Sequence, residues 1–451
     1  MKLLYNLELE RVKKVIDVDT NVVLLKSLNK MVGIIKDPYR LNELLVDKGN
    51  SESIVSIYSS ICIFIGEVKE LISEDIDIED LSYKYMTMIR QIIRSRGQLR
   101  VPLFGGLSDL GYGINSIYKS TGYFKRFIDS FNKLIISLIE DELPKLIADI
   151  DDLKAESFDT MAGMAGVASY LLLYKDEDKI RKCIEDIFRY LIMLTEEKEV
   201  FGQKVLRYYL SPDNHYSQKE RECYTNGSFN LGLSHGIAGP LSILSTGLNE
   251  EIEVEGQKKA IKNILNDLKT FSCINEKEFV YWPERVGFDD YVNRRVNMGA
   301  NRASWCYGSP GIARAMYLGG KAVDDEDSII LSLKAIDGLA KMNINQWRLN
   351  SPTVCHGYAG LLVVMEAMYM DTGSINYIKC INKLKNILLN FYKEDSIFGF
   401  MNIDTKEVDN GAYKIIEEDK ITLLQGSIGV ILSLLAIVKP METNWMKHLL
   451  I

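Results

Sequence analysis

The sequence predicts an all-α fold, an α/α toroid in which inner helices are ringed by outer ones. Three observations carry this. A Gly-x-x-Gly spacing recurs six times at a loose period, each copy leads into a short segment that is apolar on every side, and longer segments with a single apolar face lie between the copies. A helix that is apolar all round is buried, and one with an apolar stripe covers a core. The alternation therefore describes stacked helix pairs, and a stack that closes on itself gives the double ring. Proline is scarce, nine in 451 residues, which suits long helices with few turns.

Residues 1–97 read as mostly polar-faced helices that complete the toroid, and no chemistry is expected of them. Glu67-Val68-Lys69-Glu70-Leu71-Ile72 and Tyr85-Met86-Thr87-Met88-Ile89 carry apolar residues at three- and four-residue spacing. Residues 98–451 form the repeat-bearing body, and the whole is expected to be one domain. Its six copies begin at Gly106, Gly163, Gly236, Gly308, Gly357 and Gly426, with successive separations of 57, 73, 72, 49 and 69 residues. They lead into runs such as Val167-Ala168-Ser169-Tyr170-Leu171 and Val430-Ile431-Leu432-Ser433-Leu434. Between copies, Ile261, Ile264, Leu265, Leu268 and Phe271 keep one face apolar, as do Ile378, Ile381, Leu384, Ile387, Leu388 and Phe391. Glycines at the helix starts are expected to let backbones crowd and to leave room for a ligand.

The period breaks twice, near 201–232 and near 274–304. The first stretch holds Tyr208, Tyr209, Pro212, His215, Tyr216 and Tyr224, and the second Tyr281-Trp282-Pro283-Glu284-Arg285 and Asn293-Arg294-Arg295. Long irregular insertions in a compact fold are commonly functional, and a flap over one mouth of the ring is expected.

Composition narrows the function classes. A hydrophobic content of 47% with 26% charged residues describes a globular chain with an ample core. A net charge of −8 without a basic tract argues against nucleic-acid binding. Met1-Lys2-Leu3-Leu4-Tyr5-Asn6-Leu7-Glu8 places an acid where a signal peptide needs its apolar core. Ile61-Cys62-Ile63-Phe64-Ile65 is too short to span a bilayer. Seven scattered cysteines do not make a disulfide framework. A cytoplasmic chain with reduced thiols is expected, peripheral to a membrane at most through partner proteins.

Three copies carry a metal-capable residue beside the first glycine: Ser234-His235-Gly236, Trp305-Cys306-Tyr307-Gly308 and Cys355-His356-Gly357. Adjacent residues within a helix point about 100° apart, but at a helix entrance both side chains can converge while the helix dipole favours a thiolate. If the copies are structurally equivalent, the three sites lie on one rim, and Cys/His sets of this kind suit zinc. Cys306, Cys355 and His356 make a set with one open position, leaving His235 as an acid or base. The rival assignment makes His235 a fourth ligand and the site inert. The repeat pattern does not choose between them. Cys62, Cys183, Cys223, Cys273 and Cys380 have no partner pattern, and His215 and His448 are expected to face solvent.

The motifs Asn230-Leu231-Gly232-Leu233-Ser234-His235-Gly236-Ile237-Ala238-Gly239, Asn301-Arg302-Ala303-Ser304-Trp305-Cys306-Tyr307-Gly308-Ser309-Pro310-Gly311 and Cys355-His356-Gly357-Tyr358-Ala359-Gly360 resemble those of the lanthionine synthetase C-like family, the cyclases of lanthipeptide biosynthesis. The stretch from Tyr224 to Gly239 is most similar to the stand-alone cyclases of nisin-type systems. The resemblance covers roughly residues 100 to 435. It implies one Zn²⁺ per chain on Cys306, Cys355 and His356, with His235 off the metal as a catalytic acid or base. It places the family's catalytic aspartate at Asp159, four residues before Gly163, and matches Arg302 and Tyr307 to residues lining the pocket. Asp109 departs from the pattern, standing where the first copy usually has its second glycine.

On that reading a precursor-peptide cysteine binds as thiolate and attacks the β-carbon of a dehydroalanine or dehydrobutyrine. His235 protonates the resulting enolate at the α-carbon, and Asp159 orients it or holds charge nearby. The product is a lanthionine or methyllanthionine thioether ring. The dehydrated precursor peptide is the expected partner, with a dehydratase and an export transporter implied by resemblance only. The alternatives are glutathione addition to dehydrated residues, a zinc-bearing adaptor that binds thiol peptides without turnover, and an unrelated toroid that activates a thiol for alkylation.

Overall fold

The computed structural model describes residues 18–47, 51–72, 76–95, 100–296, 302–408 and 412–451. Of the stretches read above, Met1–Glu8 and Asn301 lie outside them. The principal helices are α1 (Val18–Ile35), α2 (Ile54–Val68), α3 (Ile78–Ser95), α4 (Leu107–Thr121), α5 (Lys125–Ala148), α6 (Met164–Leu171), α7 (Asp178–Met193), α8 (Ala238–Asn249), α9 (Gln257–Thr270), α10 (Ser309–Val323), α11 (Glu326–Lys341), α12 (Tyr358–Thr372), α13 (Ile375–Asn390) and α14 (Ser427–Ala436). The chain forms two compact units. One comprises Met1–Leu99, Asp109–Ile128 and Leu349–Trp445, and the other Arg100–Ser108, Asp129–Arg348 and Met446–Ile451.

Each unit repeats the predicted alternation. In the second, the buried helices α6, α8 and α10 pack in succession, with α7 against α6, α9 against α8 and α10, and α11 against α10. In the first, α12 packs on α14 and α14 on α2, with α13, α1 and α3 outside them. All eight residues of α6 and all ten of α14 are buried, as an all-apolar helix requires. The covering helices bury one stripe, as in α9, where Ala260, Ile261, Ile264, Leu265 and Leu268 face inward.

One expectation for residues 1–97 needs correction. Helix α2 is not polar-faced; it is buried from Val55 to Val68 apart from Ser56. It is a further helix of the buried set, and it lacks the Gly-x-x-Gly signature because Ser53 rather than a glycine begins it. The departure at Asp109 is explained by the same helix. The Ser56 hydroxyl donates to Asp109 Oδ2 at 2.7 Å and the Ser59 hydroxyl to its main-chain oxygen at 2.5 Å. A carboxylate bonded to α2 stands where other copies bring a bare backbone close.

The loops entering the buried helices are joined by hydrogen bonds in one repeated register. The acceptor is the carbonyl two residues before a copy's first glycine. The donor is an N–H two or three residues before the first glycine of the preceding copy. Phe104 donates to Met161 (3.0 Å), Thr160 to Ser234 (3.1 Å), and Leu233 and Ser234 both to Cys306 (2.9 and 3.0 Å). In the first unit Val354 and Cys355 both donate to Leu424 (3.1 and 2.9 Å). Each link contributes only about 1 kcal/mol net, but leaving such a buried N–H unpaired costs about 1–3 kcal/mol.

The first glycines serve this fold-back. At Gly357 a Cβ would run into the Ser351 carbonyl and the Thr353 backbone, and at Gly308 into Arg302 and Ser304. Their φ values, −124° and −82°, are open to any residue. Space, not backbone freedom, demands glycine there.

Among the described residues eight strands interrupt the helices: β1 (Glu197–Val200), β2 (Gln203–Leu206), β3 (Ser228–Asn230), β4 (Cys273–Ile274), β5 (Val280–Tyr281), β6 (Arg285–Gly287), β7 (Met401–Val408) and β8 (Ala412–Asp419). β1 pairs with β2, β4 with β5 and β7 with β8, all antiparallel. β3 pairs with β6, Asn230 opposite Arg285, so the two irregular insertions are tied into one layer. The β7–β8 ribbon escaped the periodicity reading, although Asn410-Gly411 between alternating segments is a hairpin signal.

The steric account of the glycines makes opposed predictions. Gly357→Ala should destabilise the fold by about 1–3 kcal/mol through overpacking. Gly33→Ala, in α1 with nothing within 4 Å of the added Cβ, should stabilise by up to about 1 kcal/mol through helix propensity. Urea denaturation measures both, and equal effects of the two substitutions would contradict the steric account.

Candidate acid–base and metal centre

Asp159 lies in the loop before α6 and is fully buried. Its Oδ1 accepts the N–H groups of Ala162 (2.7 Å) and Gly163 (2.9 Å), so it closes the entrance turn from within. Its Oδ2 lies 2.6 Å from Nδ1 of His235. Asp159 therefore commits one oxygen to its own entrance turn and the other to the histidine.

His235 sits at the entrance of α8, its side chain about one-quarter exposed (26%). The carboxylate at Nδ1 selects the tautomer that carries its proton there. Nε2 is then the nitrogen that can take up and return a proton. The geometry is locked from the backbone, because Thr160 donates its N–H to Ser234 O at 3.1 Å and its hydroxyl to Leu233 O at 2.6 Å. The Asp159 loop is thus clamped onto the two residues preceding His235.

Two tyrosines flank the imidazole. The Tyr216 ring lies edge-on at 5.4 Å and that of Tyr307 at 5.8 Å, tilted by 35°. Burial raises both phenols above their ordinary range. Asp159 and Glu156 add to this at Tyr216, and Glu284 at Tyr307. Both remain protonated hydrogen-bond donors at neutral pH. Loss of hydration raises the Glu284 carboxyl too, which lies within electrostatic range of Arg285, Glu220, Arg302 and His235.

Sequence reasoning did not place Tyr216 or Glu284 in the site. Tyr216 is positioned by a capping box. The Ser217 side chain accepts from Glu220 N–H, and Glu220 Oε2 accepts the N–H groups of Tyr216 (2.9 Å) and Ser217 (3.3 Å). Glu220 Oε1 in turn meets Arg285 on β6 at 3.1 Å. The Ser-x-x-Glu spacing was visible in the chain, but nothing in it pointed the tyrosine at His235.

Cys306 is buried in the same unit, at the entrance of α10, its sulfur 3.6 Å from Ser304 Oγ. Its carbonyl receives the N–H groups of Leu233 and Ser234, so the Cys306–Tyr307 and Ser234–His235 loops run side by side. The structure therefore brings Asp159, His235, Cys306 and Tyr307 together. Arg302 is exposed and lines a separate cleft with Arg348. Cys355 and His356 belong to the other unit, where they open α12. Cys355 is partly buried and His356 is 9% exposed.

The donor chemistry fits zinc. Two cysteines and an imidazole form a recognised zinc set, all seven cysteines of the chain are thiols, and Cys306 and Cys355 occupy the same register, two residues before the first glycine. Among the described residues no group of three or more His, Cys, Asp or Glu side chains is gathered that could hold a metal ion.

The two remaining histidines do not face solvent. His215 is buried with Nε2 2.9 Å from Ser228 Oγ, and burial lowers its basicity. His448 is buried, its Nε2 3.1 Å from the Leu103 carbonyl and its ring stacked on Phe104 at 4.7 Å. Both are structural groups, and a lone histidine in the sequence gave no means of telling this from exposure.

Comparison with known proteins places this arrangement. The chain is 26% identical over 324 residues to the nisin biosynthesis protein NisC of Lactococcus lactis subsp. lactis, covering 70% of this chain and 74% of that protein. A solved nisin cyclase matches in fold with a TM-score of 0.75 at 22% identity, over 91% of this chain and 95% of that one, and the shared fold class is the α/α toroid. The family model described as lanthionine synthetase C-like protein matches residues 51–450. The chain belongs to the lanthionine synthetase C-like family.

Proposed function

We propose that this protein is a zinc-dependent lanthipeptide cyclase. It adds cysteine thiols of a dehydrated precursor peptide to dehydroalanine or dehydrobutyrine in the same peptide, forming thioether rings. The observation that carries the reading is the Asp159–His235 pair, clamped by backbone hydrogen bonds to the loop that bears Cys306. Zinc on Cys306, Cys355 and His356 would hold the peptide sulfur as a thiolate, whose pKa of about 8.5 in free cysteine falls beside a metal.

The chain's own residues account for the rest. Addition of sulfur to the β-carbon places negative charge on the enolate, which must gain a proton at the α-carbon. His235 Nε2 delivers it, or removes it from the incoming thiol, while Asp159 fixes the ring and stabilises the imidazolium form. Tyr216 and Tyr307 flank the ring, limit its contact with water and offer O–H donors to the enolate oxygen. A neutral imidazole regenerated after each turnover needs no redox partner.

The precursor peptide is the substrate in this reading, and a dehydratase and an export transporter are its proposed partners. The proposed location is the cytoplasm, with any membrane association made through those partners. Among the described residues no helix is long and apolar enough to cross a membrane.

With a dehydrated precursor peptide and thiol alkylation followed by mass spectrometry, His235→Ala should slow ring formation by about 10²–10⁴-fold while retaining one zinc per chain. Loss of zinc in that variant would overturn the division of roles between acid–base and metal ligand. Asp159→Asn keeps an oxygen for the entrance turn but weakens the hold on the Nδ1 proton. It should lower the rate roughly 10²-fold or more with zinc retained. Cys355→Ala, or chelation, should remove both metal and thiol consumption, and unchanged thiol loss after complete chelation would refute zinc dependence.

A further inference from the structure

A second cleft lies on the α10–α11 side of the second unit. It encloses about 240 Å³. Arg302 stands at the start of the Cys306 loop, and Arg348 follows the short helix Ile344–Trp347. Among the described residues no salt bridge or side-chain hydrogen bond engages either guanidinium. Both are exposed.

The neutral polar groups of the cleft are donors as well. Asn275 Oδ1 is occupied by the N–H groups of Lys277 (2.9 Å) and Phe279 (3.0 Å), which leaves its amide NH₂ to offer. Gln346 Oε1 is occupied by the N–H of Asn343 (2.9 Å), which leaves its own NH₂. Phe279 and Tyr281 supply aromatic walls, and no acidic side chain lines the space. The first turn of α10 adds its positive dipole end through Ser309. Glu284 lies within electrostatic range of Arg302 but is drawn more strongly to Arg285.

The geometry points to a carboxylate-binding subsite, in which Arg302 and Arg348, with the NH₂ groups of Asn275 and Gln346, receive an aspartate or glutamate side chain of the peptide substrate. Forked guanidinium donors match a carboxylate's two oxygens, and the volume takes one acidic side chain with its flanking apolar atoms against Phe279 and Tyr281. The inference builds on the cyclase reading. Arg302 is four residues from Cys306, so a peptide anchored here is tethered beside the loop that presents its thiol to the centre.

The test avoids catalysis, so its failure is distinct from failure of the cyclase reading. The probe is a fluorescein-labelled, C-terminally amidated peptide of leucine and glutamate, free of cysteine and of dehydrated residues, with a glutamine-for-glutamate counterpart. Fluorescence anisotropy should show the full-length protein preferring the glutamate peptide, with the preference falling as salt rises. Arg348 has φ of 54°, a left-handed conformation that asparagine tolerates, so Arg348→Asn is the variant of choice. It should cut the preference roughly fivefold or more.

Gln346→Glu preserves the oxygen that caps Asn343 but replaces the donor by an acceptor, and should abolish the preference without relying on the first variant. Equal binding of both peptides by the native protein would overturn the proposal. So would a preference unchanged in either variant. A glutamine peptide with a free C-terminal carboxylate that binds as tightly as the glutamate peptide would also overturn it, because the subsite would then read chain ends rather than acidic side chains.

Discussion

The architecture depends on one backbone interaction repeated between helix entrances. An N–H just before one buried helix donates to the carbonyl two residues ahead of the next copy's first glycine. For this to happen each loop must fold back against its own helix, and at Gly308 and Gly357 that leaves no room for a Cβ. The Gly-x-x-Gly spacing is the sequence record of that constraint. It survives without regular spacing between copies because the link is local to the entrances and indifferent to the length of what separates them.

The same link assembles the chemistry. Asp159 and His235 stand 76 residues apart, yet they come from loops whose main chains are bonded directly, so their distance is set by backbone geometry rather than by flexible side chains. The Cys306 carbonyl extends the register to a third loop. Preorganisation of this kind is what an acid–base pair needs, since a displacement of about 1 Å can cost 10²-fold in rate. Asp159 divides its two oxygens between neighbours, one on the N–H groups of its own entrance turn and one on the His235 imidazole.

Much of this was legible in the chain, and the rest had physical reasons to stay hidden. Alternation of all-apolar and one-faced segments gave the fold class, because burial acts on whole helices and leaves a periodic trace. The candidates His235, Cys306, Cys355 and His356 stood out because rare side chains sat one or two residues before a copy's first glycine. Helix α2 was missed because its entrance uses Ser53 in place of the glycine signature. Tyr216 was missed because its aim depends on a contact between Glu220 and Arg285, 65 residues apart, and no local pattern encodes a non-local ion pair. His215 and His448 were misjudged because burial of a single polar residue is decided by tertiary partners, here Ser228 and the Leu103 carbonyl.

The position two residues before each first glycine is joined to its neighbours through its main chain. Its occupants are Phe104, Met161, Ser234, Cys306, Cys355 and Leu424, an aromatic, a thioether, a hydroxyl, two thiols and an aliphatic group. Because the link between entrances is made by main-chain atoms, these positions accept side chains of quite different chemistry. A reactive group can be fitted or removed at one entrance without breaking the backbone link that joins it to the next. A scaffold so divided separates the evolution of chemistry from the maintenance of architecture, and related chains can keep the linked entrances while losing, moving or exchanging the groups mounted on them.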